Sequence, residues 1–199
     1  MATAIEKVVK KPKILVVDDT VRNIQVLEAI LRDRFRINIA LNGLQALDLA
    51  DKVKPDLILL DVMMPELDGF ETCKRLKANP ETHDIPVIFL TARVDLADVV
   101  RGLELGAVDY VTKPFNPTEL MKRVDSHLEL KFAREKMAAL AGQLSKYLSP
   151  YVYRSIFEGQ TEAKIPAYRK HLTVFFSDIQ GFTTRAEEME PQALTTWLN

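Results

Sequence analysis

The chain has 199 residues, 47% of them hydrophobic, enough for one packed domain of about 100–150 residues and something smaller. Lys and Arg number 27 against 28 Asp and Glu, so a formal net charge of −1 leaves no electrostatic footprint for a nucleic acid. A single cysteine, Cys73, excludes an internal disulfide, His83, His127 and His171 stand in no zinc-like spacing, and no run of about 18 apolar residues could cross a bilayer, a composition that fits a reducing cytoplasm.

Residues 1–11 read as a flexible N-terminus without the apolar centre of a signal peptide. From Lys13 onward short apolar runs alternate with amphipathic stretches, the pattern of βαβ units in a parallel sheet. Strand 14–17 is predicted to lead into helix 21–34, strand 37–41 into helix 43–53, and strand 57–60 into helix 69–78. Strand 87–90 then precedes helix 95–105, and strand 110–111 precedes a last helix opening at Pro117. Most of these strands are unbroken apolar runs, as burial on both faces requires, so the expected fold is a (βα)5 doubly wound parallel sheet covered by helices on both sides. Asn116 is placed to cap the last helix, Pro117 suits its first position, and Glu119 stands where a capping-box partner would.

Nothing but Gly142 interrupts that helix before Lys146, which predicts roughly 30 residues and about 45 Å of helix. Leu130, Ala133, Met137, Leu140, Leu144 and Tyr147 recur at alternating steps of three and four, the a/d seam of a coiled coil. Two readings stay open: a parallel homodimer through this seam, or a stripe folded back onto its own domain. Ser149 and Pro150 end the helix. A short helix at 151–157, a polar stretch at 158–168 and a strand at 172–176 follow. The residues left after that strand are too few for an independent domain, so the chain is expected to stop inside a second one.

In an open parallel sheet, ligands bind beyond the carboxyl ends of the strands. The first strand ends in Asp18 and Asp19, the third in Asp61, the fourth in Thr91, and the fifth is followed by Lys113 and Pro114. Crowded carboxylates raise one another's pKa unless a cation joins them, which points to Mg²⁺, a hard ion that prefers oxygen. With the metal in place Asp61 can attack a phosphoryl group as a carboxylate nucleophile, Lys113 can neutralise the transferred charge, and the Thr91 hydroxyl can donate to a phosphate oxygen. Singly, each has a plainer role: Asp19 or Thr20 caps a helix, Thr91 ends a strand, Lys113 is a surface charge. Their joint position at four strand ends favours the chemistry.

These residues resemble the receiver domain of response regulators, the CheY-like family. The resemblance rests on Val16 to Asp19, on Asp61-Val62-Met63-Met64-Pro65 followed by Asp68-Gly69, on Thr91-Ala92 and on Lys113-Pro114-Phe115. Thr91 follows Asp61 by 30 residues and Lys113 follows Thr91 by 22, as in that family. The resemblance implies a flavodoxin-like fold over residues 12–130, with Asp61 as phosphoacceptor and Asp18, Asp19, Asp61 and the Met63 carbonyl around Mg²⁺. It also implies a cis Lys113–Pro114 bond, a switch formed by Thr91 and Tyr110, and a histidine kinase or phosphotransfer protein as phosphodonor. Residues 131–149 then serve as a coiled-coil linker carrying the signal onward.

The segment 172–184 reads as a buried strand that ends in an aspartate and turns through Gly181 into a helix, a geometry suited to a metal and a polyphosphate. Phe176 to Thr183 resembles the opening signature of class III adenylate and guanylate cyclases, so 150–199 is expected to be a linker and the beginning of an α+β cyclase domain. That resemblance implies Asp178 and the Ile179 carbonyl as ligands of a two-Mg²⁺ site, with ATP or GTP as substrate in the full-length parent. The rest of such a site would lie beyond Asn199, so this chain alone is expected to have no cyclase activity. The expected function is a response regulator controlling a nucleotide cyclase. One alternative is a non-enzymatic adaptor or phosphate sink. A DNA-binding regulator would need a basic recognition helix, and none is visible after Lys146.

Overall fold

Among the described residues, five short strands and five helices follow one another in strict alternation. The computed structural model describes residues 11–92 and 96–147, with isolated positions after 172. Its elements are β1 (Lys13–Val17), α1 (Val21–Leu31), β2 (Arg36–Ala40), α2 (Gly43–Val53), β3 (Leu57–Asp61), α3 (Gly69–Ala78), β4 (Val87–Thr91), α4 (Leu96–Glu104), β5 (Asp109–Thr112) and α5 (Pro117–Leu144). The chain divides into two units, Met1–Tyr153 and Arg154–Asn199, and the first holds all of these elements. The expected helix at 151–157 and the cyclase positions Asp178 and Ile179 lie outside the described residues. Of the expected strand at 172–176 only Thr173 and Val174 are described, both exposed and neither in a strand.

The strands form one parallel sheet in the order β2-β1-β3-β4-β5. Alternate residues of each strand point to opposite faces and feed two cores. Leu15, Val17, Ile58, Leu60, Val87 and Phe89 pack with residues of α2 and α3. Ile14, Val16, Leu57, Leu59, Ile88 and Leu90 pack with residues of α1 and α5 on the other side. This is the flavodoxin-like α/β architecture that the apolar runs predict. Among the described residues no helix is long and apolar enough to cross a membrane. Cys73 is buried in the first core, and burial pushes its thiol up to about 11, as suits a packed and unreactive side chain.

Most element ends fall within a residue or two of expectation, and three local departures have a visible cause. Helix α1 stops at Leu31 rather than Arg34 because a turn there carries Phe35, 5% exposed, into the core, its N–H donating to the Leu31 carbonyl at 3.0 Å. Strand β2 stops at Ala40 because the Leu41 N–H is taken by Gln45 Oε1 at 2.9 Å. At α5, Asn116 caps the Glu119 N–H at 3.1 Å with Pro117 in the first turn, but the Glu119 carboxylate turns to Arg123 at 3.0 Å instead of closing a capping box.

Two carboxylates fasten α5 to the sheet. Asp109 at the start of β5 accepts from Arg123 at 2.6 and 2.8 Å and lies 3.1 Å from His127 Nε2. Asp56, just before β3, accepts from Lys131 Nζ at 2.9 Å. Burial works to raise the Asp109 pKa, yet its hydrogen bonds, above all from Arg123, leave it below the ordinary carboxylate range. A depressed folded-state pKa contributes stability that is present above the unfolded pKa of about 4 and is lost as pH falls through the folded value. Asp109→Asn should therefore cost about 2 kcal/mol at neutral pH and flatten the acid limb of a plot of melting temperature against pH. An unchanged acid limb would show that Asp109 does not hold α5.

Candidate functional site

The strand register brings the carboxyl ends of β1, β3, β4 and β5 level with one another. Val17 pairs with Leu60, Asp61 with Leu90, and Thr91 with Thr112. The residues that end these strands or follow them therefore meet on one edge. Asp18 is fully buried, Asp61 is 4% exposed, and Asp19 stands at the surface. One oxygen from each lies within 4.8 Å of the others. Lys113 Nζ reaches across the sheet to 2.8 Å from Asp18 Oδ2 and 2.8 Å from Asp61 Oδ2. The Lys113–Pro114 bond is cis, and the Lys113 N–H donates to the Thr91 carbonyl at 2.7 Å, which ties the lysine to the end of β4.

Burial raises the Asp61 pKa and the Asp18 charge adds to the rise, against the Lys113 ammonium, which lowers it. Three convergent carboxylates balanced by one ammonium are an all-oxygen donor set that fits a hard divalent cation of the Mg²⁺ or Ca²⁺ class. The Met63 N–H lies 3.4 Å from Asp61 Oδ1, and the Met63 side chain is 74% exposed at the rim. Thr91 closes β4, partly exposed, one strand over from Asp61. Tyr110 does not enter this cluster: it packs against the core beside Phe89, and the Arg123 guanidinium lies 5.7 Å from its ring centroid.

Two residues of the site escape a reading of spacing alone. Asn23, in the first turn of α1, donates its side-chain amide to both oxygens of Asp18 at 3.0 Å, while the Thr20 N–H donates to Asp18 Oδ1 at 2.9 Å. The Thr20 side chain makes no helix cap, and its hydroxyl instead meets Asp19 at 3.2 Å. Asn23 thus orients the buried carboxylate, and a helical asparagine five residues downstream carries no periodic signal of that task. The other is Gly69, which opens α3 against the Asp61 backbone; a Cβ there would sit 2.2 Å from the Asp61 carbonyl oxygen. The start of α3 thus packs directly on the end of β3 that carries Asp61.

Comparison with known proteins follows the same residues. The sequence profile of the response regulator receiver domain matches residues 14–125. The chain is 43% identical over 126 residues to the response regulator PleD of Caulobacter vibrioides, which covers 63% of the chain and 28% of that protein. It is 42% identical over 119 residues to the DNA-binding response regulator MtrA of Mycobacterium leprae, covering 59% of the chain and 52% of that protein. Among solved structures, the receiver domain of a Francisella response regulator superposes with a TM-score of 0.55 at 34% identity, over 59% of the chain and 97% of that domain. The chain thus spans about a quarter to a half of the length of these curated relatives.

Proposed function

Because the chain belongs to the response regulator receiver family, we propose that it accepts a phosphoryl group on Asp61 and uses it to control an output carried beyond α5. Receiver domains take that group from histidine kinases or phosphotransfer proteins. The observation that carries the reading is the buried Asp61 carboxylate, 2.8 Å from Lys113 Nζ and within 4.8 Å of oxygens of Asp18 and Asp19. An Asp61 oxygen attacks phosphorus in line, the bond from phosphorus to the donor's histidine nitrogen breaks, and an aspartyl phosphate forms. Asp18, Asp19, Asp61 and the Met63 carbonyl would hold Mg²⁺, which when bound offsets the charge of the phosphoryl oxygens. Asn23 keeps Asp18 aimed at that position, Lys113 supplies a fixed ammonium, and the Thr91 hydroxyl donates to the transferred group.

The signal then leaves through Tyr110. As Thr91 turns toward the phosphoryl group, Tyr110 moves inward and the contact between β5 and α5 repacks. Arg123 supports this route, since its guanidinium lies over the Tyr110 ring and also holds Asp109. The output we infer is a class III nucleotide cyclase, with Asp178 and Ile179 among its metal ligands and ATP or GTP as substrate in the full-length parent. Support comes from the signature at Phe176 to Thr183. Intact mass after incubation with acetyl phosphate and Mg²⁺ tests the acceptor reading. One phosphoryl adduct is expected, absent in EDTA, and an adduct formed equally well in EDTA would sink it. Cyclic product made from ATP or GTP by the full-length parent tests the output; its absence would leave the adaptor reading.

The parallel homodimer belongs to the same proposal. Leu120, Val124 and Leu128 bury one side of α5 against the sheet, while Leu130 (48%), Met137 (72%), Leu140 (50%), Leu144 (47%) and Tyr147 (86%) stand exposed. At 3.6 residues per turn this apolar stripe is centred roughly 160° around the helix from the buried side, so most of it faces away from its own receiver, while Leu130 at its flank still borders Pro86 and Val108. Folding back onto the same domain would require the opposite face. Leu140→Asp should convert a dimer into a monomer in sedimentation, and an unchanged mass in solution would remove the seam as the interface.

A further inference from the structure

At the amino-terminal edge of the sheet, opposite the acid cluster, a cavity of about 430 Å³ opens between α5, the loop before β4 and the turn before β5. That volume lies within the range of small-molecule sites, about 300–1,000 Å³. Of its charged lining, Lys131 is shared between Glu135 at 3.3 Å and Asp56 at 2.9 Å, and Asp84 lies 3.3 Å from His83 Nε2.

Two cations of the lining, Lys77 and Arg134, form no ion pair among the described residues. Lys77 Nζ, at the end of α3, donates to the carbonyls of His83 and Ile85 at 2.8 and 2.6 Å, which occupies two of its three hydrogens and neutralises none of its charge. Its stem packs along Gly106, which at φ +94° has no side chain to displace it. Burial pushes its pKa down, against the charge of Asp84 nearby, which works to raise it. Arg134, one turn along α5 from Leu130, makes no hydrogen bond or ion pair among the described residues. Its planar fork of five donors suits a phosphate or carboxylate. The apolar part of the wall is formed by Pro86, Val108, Leu130 and Ala138.

We propose that this cavity binds a small organic anion, its phosphate or phosphonate group held by Lys77 and Arg134 and its carbon body lying on Val108 and Leu130. The ligand would bridge α5 to the loops before β4 and β5, and so fasten the segment of the helix that leaves the receiver. The proposal is independent of phosphorylation, because the two sites lie at opposite ends of the strands.

Phenylphosphonate and inorganic phosphate serve as probes, with the whole chain in EDTA at constant ionic strength so that the acid cluster is silent. Amide NMR shifts should move at Asp84, Ile85, Gly106 and Val108, with phenylphosphonate binding several-fold more tightly than phosphate because of the apolar wall. Arg134→Gln, an exposed change that the fold tolerates, should weaken phenylphosphonate about ten-fold or more. Lys77→Met should do the same, and Asp61→Asn should change nothing. Shifts confined to the surroundings of Asp61, no shifts in the millimolar range, or an affinity untouched by Arg134→Gln would each overturn the proposal.

Discussion

Asp61→Asn takes up no phosphoryl group: after incubation with acetyl phosphate and Mg²⁺ its intact mass stays that of the bare chain, while the unmutated protein gains one adduct. The amide has the shape of the carboxylate, so the strand end and the loop after it are preserved. It lacks the anionic oxygen that attacks phosphorus. Lys113 keeps its ion pair with the fully buried Asp18 at 2.8 Å, so the variant folds with its ammonium still placed. The loss is of chemistry and not of structure, and the melting temperature should separate the two. An adduct that persisted in this variant would move the acceptor to another residue and end the reading of Asp61 as nucleophile.

Gly69→Ala is the second large effect, and it acts through the backbone. The added methyl would lie 2.2 Å from the Asp61 carbonyl oxygen and 2.8 Å from the Val62 Cα, both main-chain atoms that no side-chain rotation can clear. Either α3 moves off the sheet or the end of β3 shifts. Overpacking of this kind costs about 3 kcal/mol. Because the displaced atoms carry Asp61, phosphoryl uptake should slow beyond what the loss of stability explains.

Gly142→Ala is the matched control. It lies on the exposed length of α5 with nothing within 4 Å of the new methyl. Helix propensity alone then predicts a gain of about 1 kcal/mol. Urea midpoints should therefore move in opposite directions for the two substitutions, and only Gly69→Ala should alter the rate of adduct formation. If Gly69→Ala phosphorylates at the unmutated rate, the α3 start does not set the position of the nucleophile.

Much of this protein was legible before any coordinates, because the information is periodic and local. Apolar runs of strand length bounded by turns give the central strands β1, β3 and β4, since a strand buried on both faces must be apolar nearly throughout. The edge strands β2 and β5 carry polar and part-exposed residues. Asn116 and Pro117 mark the start of the last helix because capping is settled within four residues. The meeting of Asp18, Asp19, Asp61 and Lys113 follows from parallel order alone: strands that run the same way present their last residues on one edge. Residues far apart in the chain thus become neighbours without any knowledge of packing detail.

What the tertiary structure decided are contacts whose cause lies in another element. Asn23 reaches back to Asp18 because α1 packs on the sheet at one angle, and nothing in the spacing between the two encodes that angle. Glu119 occupies the capping-box position, yet its carboxylate goes to Arg123, which Asp109 holds in place from β5. Helix α1 ends three residues early because burying Phe35 in the core beside Leu31 and Leu57 outweighs another turn of helix. The direction of the apolar stripe on α5 likewise became definite only once Leu120, Val124 and Leu128 were seen against the sheet, since helical periodicity defines a face but not what it meets.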